Sequence, residues 1–395
     1  MERIRVGLIG VSGYAKTHLE AIDYCCKKGI CELAAVVIKP DTDYSSYAGM
    51  FRSRDIRVYR GYEEMFSAES GKIDIIGIPT GIGFHKEHAV AALDSGFHAL
   101  CEKPAAGTIA EAMEMKAARD RSKKILAIGY QYLVSPAIRA IKEYSVSRKL
   151  GRVLFVRTFA SGMRDAAYYT RNDWAGKIGC NGKMYYDSPM QNAFAHYLMN
   201  MLYVSSDQEN ASARIRSVLM ENYRAKPIEC ADTQSLSIET GESVPVYFVA
   251  THACEHNESF MEVVYQGGRV EWTPQKTSVY ETRQTGELLL AAIENNGVPN
   301  NIRIYEDTIE AILGLHEPAA TIENAMQQTI AIELGFRSSA GAYQIPSGFV
   351  VSSEATGYGA VIRDIVPVMK SAFSARKNFS ALGIPWAKES TLIYA

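Results

Sequence analysis

A chain of 395 residues is too long for one ordinary hydrophobic core, so two domains are expected. Hydrophobic residues make up 47% and charged residues 22%, and 42 basic against 44 acidic residues leave a net charge of −2 with no long run of either sign. That is the mix of a soluble globular protein, and it excludes the basic footprint of a nucleic-acid partner. "MERIRVGLIG" enters a strand at once with charges inside the apolar run, so neither a secretory signal nor a membrane span is expected. Seven cysteines (Cys25, Cys26, Cys31, Cys101, Cys180, Cys230 and Cys254) form no CxxC pair and fit reduced thiols in the cytoplasm.

The first element, "IRVGLIGVSGYAKTHLEAI" (4–22), has an apolar strand, a glycine-rich turn and then a helix-forming segment. Such a start lets backbone N–H groups and a helix N-terminus face a pyrophosphate. Against G-x-G-x-x-G the turn supplies Gly10, Ser12 and Ala15, with Gly13 and Tyr14 beside them; the match is degenerate, and an ordinary tight turn would look similar. The runs "ELAAVVI" (32–38), "IRVYR" (56–60), "IDIIGIP" (73–79), "FHALC" (97–101) and "KKILAIG" (123–129) recur between helical stretches and predict a doubly wound parallel sheet over residues 1–129. The acid expected at the end of the second strand, to hold the adenosine ribose, is missing near Ile38 and Lys39. Lys39 could meet a 2′-phosphate, which leans toward NADP, although Asp41 or Asp43 could reach back for NAD.

At the end of the run "FHALC", "CEKP" (101–104) places Lys103 between Glu102 and Pro104, where ligands bind in open parallel sheets. The alternative is a solvated loop lysine. Pro104 biases Lys103 toward extended geometry and makes a cis bond possible.

Residues 130–395 form the expected second domain. After "GYQYLVSPAIRAIKEY" (129–144), the runs "VLFVRTF", "SLSIE", "VYFVATH", "SFMEVVYQ" and "GRVEWT" predict a large, mostly antiparallel sheet in an α+β domain. The loop "RDAAYYTRNDWAGK" (164–177) offers Arg171, Asn172 and Trp174 to a polyhydroxylated ring. In "YYDSPMQNAFAHYLMNML" (185–202), Ser188, Pro189 and Gln191 predict a helix starting at Pro189, with Asn192, His196 and Asn200 as one polar stripe and Asp187 at its start. A structural helix with one satisfied core histidine is the alternative. Residues 315–336 are expected to be a structural helix of this domain. His252, His256 and His316 lack a ligand spacing, so no metal is predicted.

The amino-terminal turn, "IPT" (78–80), "HKEHAVAALDSG" (85–96) and "CEKP", in that order, resemble the Gfo/Idh/MocA oxidoreductases. The resemblance implies a Rossmann domain followed by an α+β domain on an open-faced sheet, a bound NAD(P), and homo-oligomers (dimer or tetramer) formed through the uncovered face. It implies that Pro79 and Thr80 line the nicotinamide side, that His85 belongs to the loop after that strand, and that Glu102 and Lys103 lie against the cofactor. Lys103 would contact the reacting substrate hydroxyl, its ammonium weakened by desolvation. The family's Asp-x-x-x-His motif aligns with Asn192 and His196, a departure at the acid position: Asn192 can orient a hydroxyl but cannot take a proton. The expected activity is hydride transfer between NAD(P) and a secondary hydroxyl of a sugar, sugar acid or cyclitol, with Lys103 and His196 serving one hydroxyl between the domains. The alternatives are a glycosidase that retains its NAD and oxidises transiently, and a cofactor-sensing regulator.

Overall fold

Short apolar runs separated by amphipathic stretches build the first part of the chain, as their period dictates. In the computed structural model, which describes residues 3–39, 44–353 and 359–395, they form β1 (Ile4–Ile9), α1 (Ala15–Lys27), β2 (Cys31–Val37), α2 (Tyr44–Arg52), β3 (Arg57–Tyr59), α3 (Tyr62–Ala68), β4 (Ile75–Ile78), α4 (His85–Asp94), β5 (His98–Cys101), α5 (Ile109–Ser122) and β6 (Leu126–Ile128). The six strands are parallel in the order β3-β2-β1-β4-β5-β6. Strand order reverses beside β1, which opens a crevice at the carboxyl ends of the strands. Val6, Leu8, Ile75, Ile76 and Ala99 are fully buried, as a sheet covered on both faces requires. α5 starts with a reciprocal cap: Thr108 Oγ1 accepts the Glu111 N–H and Glu111 Oε2 accepts the Thr108 N–H, both at 3.2 Å.

The chain continues with α6 (Pro136–Ser147), β7 (Val153–Ser161), α7 (Ala166–Thr170), β8 (Gly179–Cys180), β9 (Lys183–Met184), α8 (Ala195–Ser205), β10 (Ile215–Arg224), β11 (Thr233–Thr240), β12 (Pro245–Thr251), β13 (Glu258–Tyr265), β14 (Gly268–Trp272), β15 (Lys276–Arg283) and β16 (Gly286–Glu294). It ends with α9 (Asn300–Ile312), α10 (Ile322–Ser339), β17 (Tyr343–Gln344), β18 (Val350–Ser353), β19 (Gly359–Ile362), α11 (Ile365–Ala375) and β20 (Ile393–Tyr394). A ten-stranded sheet runs β16-β15-β14-β13-β7-β12-β11-β10-β17, with β20 also paired to β10. Its pairs are antiparallel except β7 with β12 and β10 with β17.

The sheet is less open than expected. On one face Tyr197 of α8 packs edge-on against Trp272 and bonds Ser259 through its hydroxyl. On the other, α11 and the segment to Trp386 close over Phe159, Tyr223 and Val249. Only tertiary packing shows this, because α11 is a separate apolar helix more than a hundred residues away in sequence from β7.

The chain divides into two units, Met1–Ser135 with Gly297–Met326, and Pro136–Asn296 with Gln327–Ala395. The boundary at 129/130 is therefore displaced, and residues 297–326, expected in the second domain, return to the first. α9 packs on α1, and Ala320 O accepts the Ile128 N–H at 2.8 Å at the edge of the parallel sheet.

Candidate active site

In the first unit, the Gly10 N–H donates to Val37 O at 2.9 Å, tying the end of β1 to β2 just before the turn. Gly10 and Gly13 have φ of +101° and +59°, conformations that L side chains rarely adopt. A Cβ at either glycine would meet no protein atom within 4 Å, so the space over the turn is open to a ligand and would be filled by a side chain. Ala15, at the third glycine position, opens α1 and is 1% exposed, while Ser12, Gly13 and Tyr14 are exposed. α1 has no acidic residue in its first turn. The amides of Ala15, Lys16 and Thr17 donate within the turn to Ser12, Gly13 and Tyr14 O, so what favours a dinucleotide's pyrophosphate here is the positive end of the helix dipole.

Ile38 is fully buried and its N–H donates to Tyr59 O at 3.0 Å, so its side chain belongs to the core. Lys39 is exposed, with Nζ 5.6 Å from the centroid of the Phe84 ring. Asp41 and Asp43 lie outside the described residues. Pro79 and Thr80 follow β4 and are half-buried, and Thr80 Oγ1 is 3.1 Å from His88 Nδ1.

Two expected cofactor contacts turn inward. His85 opens α4 with its ring 1% exposed, Nδ1 2.7 Å from Pro104 O and Nε2 2.9 Å from Thr80 O. Burial pushes this imidazole toward the neutral form, against the pull of the two carbonyls. A neutral ring donates to one of these carbonyls at a time, so His85 lies between the loop after β4 and Pro104 and ties to either through its single N–H. Glu102 is buried: Oε2 accepts the Lys103 N–H at 3.1 Å, and Oε1 lies 3.0 Å from His18 Nε2. His18 Nδ1 is 2.7 Å from Tyr305 Oη, so Tyr305 can donate to the ring and the ring to the carboxylate. The sequence reading missed His18 and Tyr305. His18 could have been found as the inward position three residues after Ala15 on α1, whereas Tyr305 carries no local signal. Lys103 follows β5, half-buried, and its bond to Pro104 is cis.

In the second unit the stretch 164–177 is not one loop. Asp165 caps the short α7 by accepting the Tyr168 N–H at 2.9 Å, and a tight turn follows. Asn172 Oδ1 is occupied by that turn, accepting the N–H groups of Trp174 and Ala175 at 3.2 and 2.8 Å, so Asn172 shapes the backbone. Arg171 lies 3.7 Å over the Tyr168 ring, donates to Tyr168 O, and reaches Asp187 Oδ2 at 3.4 Å. Trp174 stacks on Tyr185 with centroids 5.1 Å apart.

Asp187 is 3% exposed, and its carboxylate organises the neighbourhood: Oδ2 accepts the Gly176 N–H at 2.7 Å and Oδ1 accepts Asn192 Nδ2–H at 2.8 Å. The helix expected from Pro189 begins only at Ala195. The Met190 N–H, which would have needed a cap, instead donates to Gln234 Oε1 of β11 at 2.9 Å, and residues 188–194 run as irregular turns. Ser188 and Gln191 thus cap nothing; Gln191 Oε1 accepts from Gln328. Asn192 lies off the helix, held by Asp187, while His196 and Asn200 remain on α8 one turn apart. His196 is half-buried and Asn200 is 1% exposed, its amide without a hydrogen-bond partner among the described residues. His252 is a core histidine, with Nδ1 3.1 Å from Tyr169 Oη and its basicity suppressed by burial and by Arg164 and Lys226. A cavity of about 370 Å³ beside Tyr169, Lys177 and Lys226 is lined by none of the candidate residues.

Residues 4–130 match the model of the GFO_IDH_MocA oxidoreductase family with an NAD-binding Rossmann fold. A glucose-6-phosphate 3-dehydrogenase of Bacillus subtilis is 27% identical over 172 residues, 43% of this chain and 46% of that protein. An inositol 2-dehydrogenase/D-chiro-inositol 3-dehydrogenase of Shouchella clausii is 23% identical over 168 residues, 42% of this chain and 47% of that protein. The chain thus spans about half the length of the curated relatives it matches. The WlbA dehydrogenase of Bordetella pertussis, solved with NADH and UDP-GlcNAcA, superimposes with a TM-score of 0.68 at 19% identity, over 86% of this chain and 97% of its own, and so shares the fold. With the nucleotide-binding sheet, its glycine turn and the Glu-Lys-Pro sequence all present in the first unit, residues 4–130 are the part of the chain that matches the NAD-binding Rossmann domain of the Gfo/Idh/MocA oxidoreductases.

Proposed function

We propose that this protein is an NAD(P)-dependent dehydrogenase that oxidises a secondary hydroxyl of a sugar, sugar acid or cyclitol, or reduces the corresponding ketone. The observation that carries it is the position of Lys103, a half-buried ammonium at the carboxyl end of β5, two strands from the glycine turn of β1 in the same sheet. Bound over the Gly10–Ala15 turn, NAD(P) supplies the hydride acceptor. Lys103 donates to the substrate oxygen and stabilises the developing alkoxide, and His196 takes the hydroxyl proton. Asn192, oriented by Asp187, holds a neighbouring hydroxyl, and Arg171 and Trp174 border the ring. Lys39 at the end of β2 leans the cofactor preference toward NADP. The relatives named above carry dehydrogenase names, which favours net hydride transfer over glycoside cleavage with retained cofactor.

The test is absorbance of reduced nicotinamide with the purified protein, NAD⁺ or NADP⁺, and a panel of sugars, sugar acids, sugar phosphates and cyclitols. Net reduction with at least one member is expected. A protein that binds dinucleotide yet oxidises no panel member and reduces none of the matching ketones would refute the assignment.

A further inference from the structure

All seven cysteines are free thiols, and three of them meet away from the site described above. α1 closes on Cys25, Cys26 and Lys27, and Cys31 opens β2. Gly29, at φ +73°, lets the chain reverse between them, with its N–H on Cys26 O and the Ile30 N–H on Cys25 O. This turn brings Cys26 Sγ to 3.8 Å from Cys31 Sγ. Cys25 also contacts Cys31, but Cys25 and Cys31 are 0% and 1% exposed, so only half-buried Cys26 is open to a small solute.

We propose that Cys26 and Cys31 form an oxidation site for hydroperoxides, Cys26 as the attacking thiolate and Cys31 as the resolving thiol. The Cys26 thiolate attacks the terminal peroxide oxygen; the S–O bond forms, the O–O bond breaks, and the leaving hydroxide (from hydrogen peroxide) or alkoxide (from an organic hydroperoxide) takes a solvent proton. The sulfur is oxidised by two electrons to a sulfenic acid and the peroxide is reduced. Cys31 then attacks the Cys26 sulfur; the S–S bond forms, the S–O bond breaks, and the Cys31 proton leaves with the hydroxide as water. Hydrogen bonding from Cys31, assisted by the Leu33 backbone amide, lowers the Cys26 thiol below its usual range against the opposing effect of burial, which favours Cys26 over Cys31 as the attacking sulfur. The disulfide would staple the end of α1 to the start of β2, at the opposite end of both elements from the glycine turn.

The full-length protein is treated with stoichiometric hydrogen peroxide and mapped by non-reducing peptide mass spectrometry, with fragmentation to separate Cys25 from Cys26. A Cys26–Cys31 link is expected, forming before Cys180 is oxidised, because a second thiol 3.8 Å away traps the Cys26 sulfenic acid. In Cys31→Ser the sulfenic acid on Cys26 should persist and be trapped by dimedone; in Cys26→Ser no link to Cys31 should form. Should Cys31→Ser fail to fold, the wild-type map and Cys26→Ser decide the matter alone. A Cys25–Cys31 link, a link that survives Cys26→Ser, or Cys180 oxidising first would overturn the proposal.

Discussion

His18 Nε2 and Glu102 Oε1 lie 3.0 Å apart in the interior of the first unit, and Tyr305 Oη closes the chain on the other ring nitrogen at 2.7 Å. Three segments distant in sequence, α1, the end of β5 and α9, are joined through this contact, and its Glu102 end also receives the Lys103 amide. His18→Ala removes the donor from a buried carboxylate and should cost about 2–3 kcal/mol; Tyr305→Phe should cost about 1 kcal/mol. Urea titrations showing no loss for either variant would contradict the network's role.

Gly10→Val should leave a folded protein that no longer binds a dinucleotide, because a side chain at φ +101° is strained and projects into the open space over the turn. Calorimetric affinity unchanged in the folded variant would move the cofactor elsewhere.

Lys103→Met keeps the length of the lysine and deletes its charge. Dinucleotide affinity should survive while kcat falls by roughly two to four orders of magnitude, and His196→Ala should behave alike. Since both serve one proton-transfer step in the proposed reaction, the double variant should lose much less than the product of the single losses. Fully multiplicative losses would show two independent roles.

If Lys39 meets a 2′-phosphate, Lys39→Asp should shift the ratio of kcat/KM from NADP toward NAD, since an exposed ammonium becomes a carboxylate. An unchanged ratio would remove Lys39 from cofactor selection.

His98 Nδ1 accepts the Ile125 N–H at 2.9 Å at the start of β5, which requires that nitrogen to be unprotonated. Burial, reinforced by Lys124 and opposed by Asp74, lowers the imidazole to about 4. Between about 6.5 and 4 the unfolded chain binds a proton that the folded chain refuses, so stability falls as pH drops through that window. His98→Asn, which keeps an acceptor for Ile125 but cannot titrate, should lose less stability than the parent between pH 7 and pH 5. Parallel urea midpoints for the two proteins across that range would exclude His98 as a contributor.

How much was legible in the sequence follows from the range of the forces involved. The six parallel strands, the glycine turn and the placement of Lys103 at a strand's end follow from residues within a few positions of one another, through period and turn conformation. The start of α8 was read wrongly from equally local signals, because Gln234, more than forty residues downstream, takes the Met190 amide that the expected helix would have left to a cap. Distance in sequence likewise hid Tyr305 and the return of residues 297–326 to the first unit. Even the chemistry of named residues divides along this line. That Asn192 could not accept a proton was determined by its side chain, while the inward turns of His85 and Glu102 were decided by which carbonyls, imidazole and amide the folded chain brings within hydrogen-bond reach, since burying such groups is favourable only where partners await them.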